Sequence, residues 1–257
     1  MIDSYGCSDP GCVRKENEDR ILVDDGLSLF VLADGMGGHS HGEVAAELSI
    51  STIRYFIDSS TDGLEGTWPF GYDFGRSLNE NRLTTAIQMA NQQVWNRSEQ
   101  SPECSGMGTT VATVRVDGNR AAIASVGDSR VYLFRNNELT LVTIDDTWVG
   151  MMIRSGTLRA PEALNHPMRN ILTQAAGAKE TIEVQSRELE LLDQDLLLIC
   201  SDGLHGTVEE AAIRSILSAA EKLDRIAARL VAAARSNGAP DNVSCILLRH
   251  LDPDRNP

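Results

Sequence analysis

Three aspartates sit where apolar runs meet glycine or asparagine. Leu29-Phe30-Val31-Leu32-Ala33 runs into Asp34-Gly35, followed by Met36-Gly37-Gly38-His39. Leu196-Leu197-Leu198-Ile199-Cys200-Ser201 runs into Asp202-Gly203, and Asp241-Asn242 precedes Val243-Ser244-Cys245-Ile246-Leu247-Leu248. A carboxylate at the tip of a strand is held firmly because the sheet fixes its backbone. Glycine beside it removes bulk where another group must approach. Asp-Gly alone is a common turn signal; its repetition at strand ends points to convergence on divalent metal. Hard cations such as Mg2+ and Mn2+ want oxygen donors. Asp34, Asp202 and Asp241 would supply carboxylates and Gly35 a backbone carbonyl. Glu18 and Asp19, in the polar run 13–20, could reach the same place. Four or more carboxylates in one pocket cannot all stay ionised without cations between them. Two ions roughly 3.5–4 Å apart would bind a bridging water, lower its pKa and aim it for in-line displacement. Asp34 is the best-placed bridging ligand. Arg14 is the natural phosphate anchor, since a guanidinium takes two phosphate oxygens at once, although spacing alone favours a solvated surface arginine. His39 is either the group that protonates a leaving alkoxide or an exposed loop histidine. His41 and His166 read as surface and structural residues.

Composition narrows the chemistry. The chain has 257 residues, 42% of them hydrophobic, and a net charge of −14. Nucleic acid and anionic membranes both require a basic patch, so neither is an expected partner. A phosphate ester would be repelled by so acidic a protein unless bound cations reversed the field at the site. No run is long enough to span a bilayer and no signal segment opens the chain, so a cytoplasmic location is expected. The five cysteines lack CxxC spacing, and Cys200 and Cys245 fall inside apolar strands, which favours buried free thiols over zinc or a disulfide framework.

The elements that would position these residues follow from periodicity. Ser8-Asp9-Pro10-Gly11 marks a turn, and 21–23 and 28–33 read as two strands joined by an Asp24-Asp25-Gly26 turn. Val44, Ala45, Leu48, Thr52, Tyr55 and Phe56 share one helical face. An irregular excursion is expected at 59–75. Ser77 and Glu80 form a capping box for a helix carrying Leu83, Ile87, Ala90 and Val94, and Thr207 with Glu210 suggests a second box. Segments 110–116, 120–126, 130–134 and 139–143 predict an antiparallel meander, with Gly127-Asp128-Ser129 as one of its turns. Short helices and loop are expected over 145–177, strands at 182–191, 196–199 and 243–248, and helices up to about 236. The whole is an α+β layered domain spanning 1–257, without repeat or linker.

Seven short motifs then occur in order. They are Arg14-Lys15-Glu16-Asn17-Glu18-Asp19, Ala33-Asp34-Gly35-Met36-Gly37-Gly38-His39, Met107-Gly108-Thr109-Thr110, Val126-Gly127-Asp128-Ser129-Arg130, His166-Pro167-Met168-Arg169-Asn170, Ser201-Asp202-Gly203-Leu204 and Pro240-Asp241-Asn242-Val243. Together they resemble the metal-dependent protein phosphatases of type 2C, the bacterial branch in particular. The resemblance implies a four-layer α-β-β-α sandwich, two antiparallel sheets stacked centrally with helices on both outer faces, and a binuclear Mn2+ or Mg2+ centre. It implies hydrolysis of phosphoserine and phosphothreonine in proteins, in opposition to a kinase of the eukaryotic-like class. By motif position Asp34 would bridge both ions, Gly35 would lend its carbonyl, and Asp202 and Asp241 would hold one ion. Glu18 and Asp19 would act on the other directly or through water, Asp128 would hold a third, weaker ion, and Arg14 would bind phosphate. A flap over about 145–178 would help choose substrates. Two departures stand out: Asp145-Asp146-Thr147 replaces the family's Asp-His-Ser or Asp-His-Thr run, and Met36 replaces a histidine proposed as general acid in many eukaryotic members. Two other readings are a pseudophosphatase that binds phosphorylated partners without turnover and a structural cation-binding protein; the chain has no EF-hand loop.

Overall fold

Burial with a period of two or 3.6 residues sorts the chain into its elements. The computed structural model describes residues 1–37, 41–60, 68–159, 162 and 166–252. Among these the strands are β1 (Ile2–Asp9), β2 (Asp19–Asp24), β3 (Leu29–Met36), β4 (Gly108–Thr109), β5 (Val111–Asp117), β6 (Arg120–Val126), β7 (Arg130–Arg135), β8 (Glu138–Leu141), β9 (Gln185–Glu190), β10 (Leu196–Cys200) and β11 (Val243–His250). The helices are α1 (Gly42–Ser59), α2 (Leu78–Gln100), α3 (Trp148–Arg154), α4 (Asp202–His205), α5 (Glu210–Leu217) and α6 (Leu223–Ser236). No helix among the described residues is long and apolar enough to cross a membrane.

The strands form two antiparallel sheets, ordered β1-β11-β10-β7-β8 and β2-β3-β5-β6-β9, with β4 added to β3. Phe30, Leu32, Val114 and Ile123 of the second sheet meet Leu197, Ile199, Ile246 and Leu248 of the first in a buried layer between them. Alternate residues point outward. Leu29, Val31 and Val111 pack on Ile53, Leu83 and Ile87 of α1 and α2, while Leu198, Cys245 and Leu247 pack on Ile213, Ile226 and Leu230 of α5 and α6. Each such aliphatic side chain contributes about 1.5–3 kcal/mol on burial. The result is the expected α-β-β-α sandwich.

Local signals that need only a few neighbouring residues hold. Ser77 accepts from the Glu80 amide while Glu80 reaches back to the Ser77 amide, a complete capping box on α2. The second box does not form. Glu209, not Thr207, precedes α5, and no side chain caps it. The Thr207 amide instead donates to Leu204 in the turn leaving α4. Residues 1–20 hold a strand not anticipated, β1, which pairs with β11 over its whole length. Its alternation is interrupted by Gly6 and Cys7, both partly buried, which weakens the period-two pattern.

The meander is also broken. β5 and β6 pair in one sheet, whereas β7 pairs with β8 and β10 in the other. Gly127-Asp128-Ser129 is therefore a crossing between sheets. Gly127 adopts φ +97°, and a Cβ there would lie 2.7 Å from Thr110. Part of the 59–75 excursion (61–67) lies outside the described residues; beyond it Trp68, Tyr72 and Phe74 pack edge to face with centroids 5.1 Å apart.

Candidate metal centre and active site

The register of β2 on β3 sets Asp19 directly opposite Asp34. Asp34 is fixed through its backbone: its amide donates to Thr110 Oγ1 at 3.2 Å, and its carbonyl accepts from the Thr110 amide and Thr109 Oγ1, both at 2.9 Å. Gly35 follows because no side chain fits there; a Cβ would meet the Gly42 carbonyl oxygen at 2.1 Å and that of Glu18 at 2.8 Å. The start of α1 thus presses against the strand end that carries the acid.

The other acids arrive from the facing sheet. Asp202 opens α4 just after β10, close enough for its charge to act on Asp34. Gly203 lets the start of α4 pack against the backbone before β11, since a Cβ would lie 1.9 Å from the Asn242 carbonyl oxygen. Asp241 precedes β11. Its Oδ2 takes Arg14 Nη2 at 2.8 Å, and its Oδ1 takes the Asn242 amide at 2.9 Å. Asp128, at the crossing between sheets, is 9% exposed, and its carbonyl contacts His205 Nε2 at 3.0 Å. A carbonyl only accepts, so His205 Nε2 carries a proton.

Burial governs the electrostatics. It is the first cause that raises Asp34 well above the ordinary aspartate value, followed by the charges of Asp19, Asp202 and Asp128. Burial and then Asp202 push Asp19 up to about 6, against hydrogen bonds from Ser244 and Ser201. Burial and then Asp241 push Asp202 up to about 6. Burial, Asp202 and Asp145 push Asp128 up to about 7. Glu18 is raised by burial and the nearby Glu43. Burial and the neighbouring Arg130 drive His205 down to about 3, so it is neutral.

These residues fit hard divalent cations. The donors are all oxygen, one of them is the buried Asp19 Oδ1 that has no hydrogen-bond partner, and a cation among the acids would offset the crowding that raises them. Among the described residues no three His, Cys, Asp or Glu side chains already close as a ligand set. At Asp241 both side-chain oxygens are engaged. Arg14, 227 residues away in sequence, occupies one of them.

A cleft of about 760 Å3 opens beside the acids, lined by Asp128, Asp202 and Asp241 on one side and by Thr147, Arg169 and Asn170 on the other. A model of the protein phosphatase 2C family matches residues 14–247. The chain belongs to the protein phosphatase 2C family. It is 35% identical over 247 residues to the serine/threonine protein phosphatase PstP of Mycobacterium tuberculosis, covering 96% of this chain but 45% of that protein. The chain therefore spans less than half the length of that relative. It is 33% identical over 248 residues to the serine/threonine phosphatase stp of Listeria welshimeri, covering 94% of this chain and 93% of that one. The crystal structure of the mycobacterial PstP/Ppp superposes with a TM-score of 0.85 at 33% identity, over 98% of this chain and 99% of that chain. Another structure of the PstP catalytic domain, in complex with two manganese ions, superposes with a TM-score of 0.82 at 32% identity, over 98% and 99%.

Set against the family's pattern, the residues named from sequence divide cleanly. Asp34, Gly35, Asp202, Asp241, Asp19, Glu18, Asp128 and Arg14 are brought to one end of the sandwich. His39 lies outside the described residues. The substituted run Asp145-Asp146-Thr147 is fully engaged. Asp145 takes Arg130 at 2.7–3.2 Å, Asp146 accepts from the Gly127 amide at 3.2 Å, and Thr147 caps α3 through the Gly150 amide at 3.1 Å. His166 stacks on Trp148 at 5.0 Å, in keeping with a structural role.

Sequence reasoning passed over the residues that hold the acids in place. Ser201 Oγ donates to Asp19 Oδ2 at 2.9 Å. The Asn242 side chain accepts from the Glu18 amide at 2.9 Å and donates to the carbonyls of Pro10 and Glu16 at 3.1 and 2.9 Å. That one amide pins the loop bearing Arg14 and Glu18 against the start of β11. Both residues are adjacent to predicted ligands, which was the available signal.

Proposed function

We propose that this chain is a metal-dependent phosphoprotein phosphatase that hydrolyses phosphoserine and phosphothreonine, with Asp34, the Gly35 carbonyl, Asp202 and Asp241 holding two core Mn2+ or Mg2+ ions. Glu18 and Asp19 assist the second ion, and Asp128 holds a third, weaker one. The observation that carries this reading is the meeting of Asp34 and Asp19, opposite one another on β3 and β2, with Asp202 from the facing sheet, which lines the cleft. Such ions, when bound, neutralise phosphate charge and acidify water beside it. Arg14 lies where it can exchange Asp241 for a phosphate oxygen, and its fork geometry then orients the group. His39 is the candidate donor of a proton to the leaving alkoxide, Met36 having no proton to give. Of the flap expected over 145–178, residues 160, 161 and 163–165 lie outside the described residues; Val149, Gly150 and Ile153 of α3, with Arg169, line the cleft and would contact the peptide.

The chain acts as one phosphatase domain over 1–257, on substrates of a eukaryotic-like Ser/Thr kinase in cytoplasmic signalling. A net charge of −14 supports protein partners over nucleic acid or anionic membrane. A pseudophosphatase is disfavoured because none of the expected carboxylates is missing. The decisive experiment measures phosphate release from a phosphothreonine peptide with Mn2+ and then with chelator. Release that stops on chelation is expected; tight peptide binding with no release in either state would refute catalysis.

A further inference from the structure

We propose that Cys7 and Cys245 form a peroxide-oxidisable pair, which closes to an intramolecular disulfide and ties the N-terminal edge strand to the strand that follows Asp241. Cys7 on β1 stands directly opposite Cys245 on β11, and their sulfurs are 3.6 Å apart. Met1 and Leu251, at the far end of the ladder, exchange both backbone hydrogen bonds at 2.8 Å. Antiparallel pairs alternate, so Cys7 and Cys245 are also a hydrogen-bonded pair, with Cα atoms about 5.5 Å apart. That spacing lies inside the range a disulfide spans, about 4.4–6.8 Å. The sulfurs need only side-chain rotation and a small strand adjustment to reach about 2.05 Å.

The two thiols are unequal. Cys7 is partly exposed on the edge strand, and Cys245 is fully buried. The Cys245 thiol stabilises a Cys7 thiolate, lowering Cys7 and raising Cys245. Cys7 is thus the attacking sulfur and Cys245 the resolving one. The Cys7 thiolate displaces hydroxide from hydrogen peroxide, breaking the O–O bond and forming a sulfenic acid, and the hydroxide takes up a proton to leave as water. The Cys245 sulfur then attacks the Cys7 sulfur, the S–O bond breaks and a second water departs with the Cys245 proton. Two thiols lose two electrons in all, and one peroxide is reduced to two waters.

Cys245 has a second neighbour, Cys200, opposite it on β10. Cys200 is fully buried and pushed up to about 12 by burial, so it is poorly placed to start the reaction. The product joins an edge strand to the sheet interior by closing a ring of nearly the whole chain, which restricts the unfolded state strongly. The loop that follows β1 carries Arg14 and Glu18, so the tether also anchors one wall of the cleft.

Exposed Cys12 is first replaced (Cys12→Ser), because tryptic peptide 1–14 holds both cysteines. Metal-free folded protein is treated with millimolar hydrogen peroxide, quenched, alkylated and digested without reductant. The expected result is loss of two thiols, a cross-link between peptides 1–14 and 236–249, and a melting temperature raised by several degrees and restored by dithiothreitol. Adding Cys7→Ser, at a partly exposed position that tolerates it, should abolish all three changes. A cross-link from Cys200 to Cys245, overoxidised Cys7 without a cross-link, or a cross-link only after unfolding would each overturn the proposal.

Discussion

Stripping divalent cations should make the stability of this chain fall as pH rises through neutrality. Burial, and then neighbouring acids, push Asp19, Asp202 and Asp128 from 3.8 up to about 6, about 6 and about 7. Between the ordinary and the raised values, the folded chain keeps protons that the unfolded chain has released. The unfolded state then binds fewer protons, so stability declines with pH until the raised values are passed. A tenfold change in proton affinity is worth about 1.4 kcal/mol. From pH 5 upward, roughly one decade remains at Asp19, about 1 kcal/mol, and roughly two at Asp128, about 3 kcal/mol. Asp202 shares its repulsion with both and is not counted again. The loss between pH 5 and 8 should therefore be about 3–4 kcal/mol, a large share of the roughly 5–15 kcal/mol that holds a domain together. Urea unfolding followed by tryptophan fluorescence, in chelator and at saturating Mn2+, measures it. The chelated protein should weaken across this range and the Mn2+-loaded protein should not. A chelated stability that stayed level or rose from pH 5 to 8 would refute the picture of mutually repelling buried acids.

Four further outcomes follow from particular contacts. Asp202→Asn should cut turnover roughly a hundredfold or more, since a ligand charge is lost, yet stabilise the chelated protein at pH 8; near-normal phosphate release would dismiss Asp202 as a ligand. Arg14→Ala should lower kcat/KM for a phosphopeptide by roughly 10- to 100-fold, the worth of a charge-assisted bond, with partial recovery in Arg14→Lys; unchanged kinetics would place Arg14 outside phosphate recognition. Ser77→Ala should cost about 1 kcal/mol and lower Tm by about 2–4 °C while leaving phosphate release intact, as calorimetry and a peptide assay can check. Gly203→Ala forces a Cβ to within 1.9 Å of the Asn242 oxygen and should abolish soluble, active protein, whereas Gly26→Ala, whose nearest neighbour is 3.4 Å away, should melt within a degree or two of the parent.

Much of this protein is local chemistry and was legible along the chain. The Ser77–Glu80 box needs only four consecutive residues, and it formed. The runs ending in Asp34 and Asp202 became strands because short, continuously apolar stretches suit a strand buried on both faces. Their acids were recognisable as ligand candidates from residue type and place alone. Thr207 failed as a cap because a hydrogen bond from its amide to Leu204 had already committed the backbone to the preceding turn.

Pairing was decided only in three dimensions. The sequence pattern of β6 and β7 fits a hairpin as well as a crossing, since strands in either sheet bury both faces. Nothing short-range records that Asp19 stands opposite Asp34, that Arg14 finds Asp241, or that Cys7 faces Cys245 across 238 residues. Such contacts depend on closing long loops, whose entropic cost is met by the whole core rather than by the residues that touch. Residue identity thus determined which groups could do chemistry, and tertiary packing determined which of them meet, how strongly each is desolvated, and so which protons they keep.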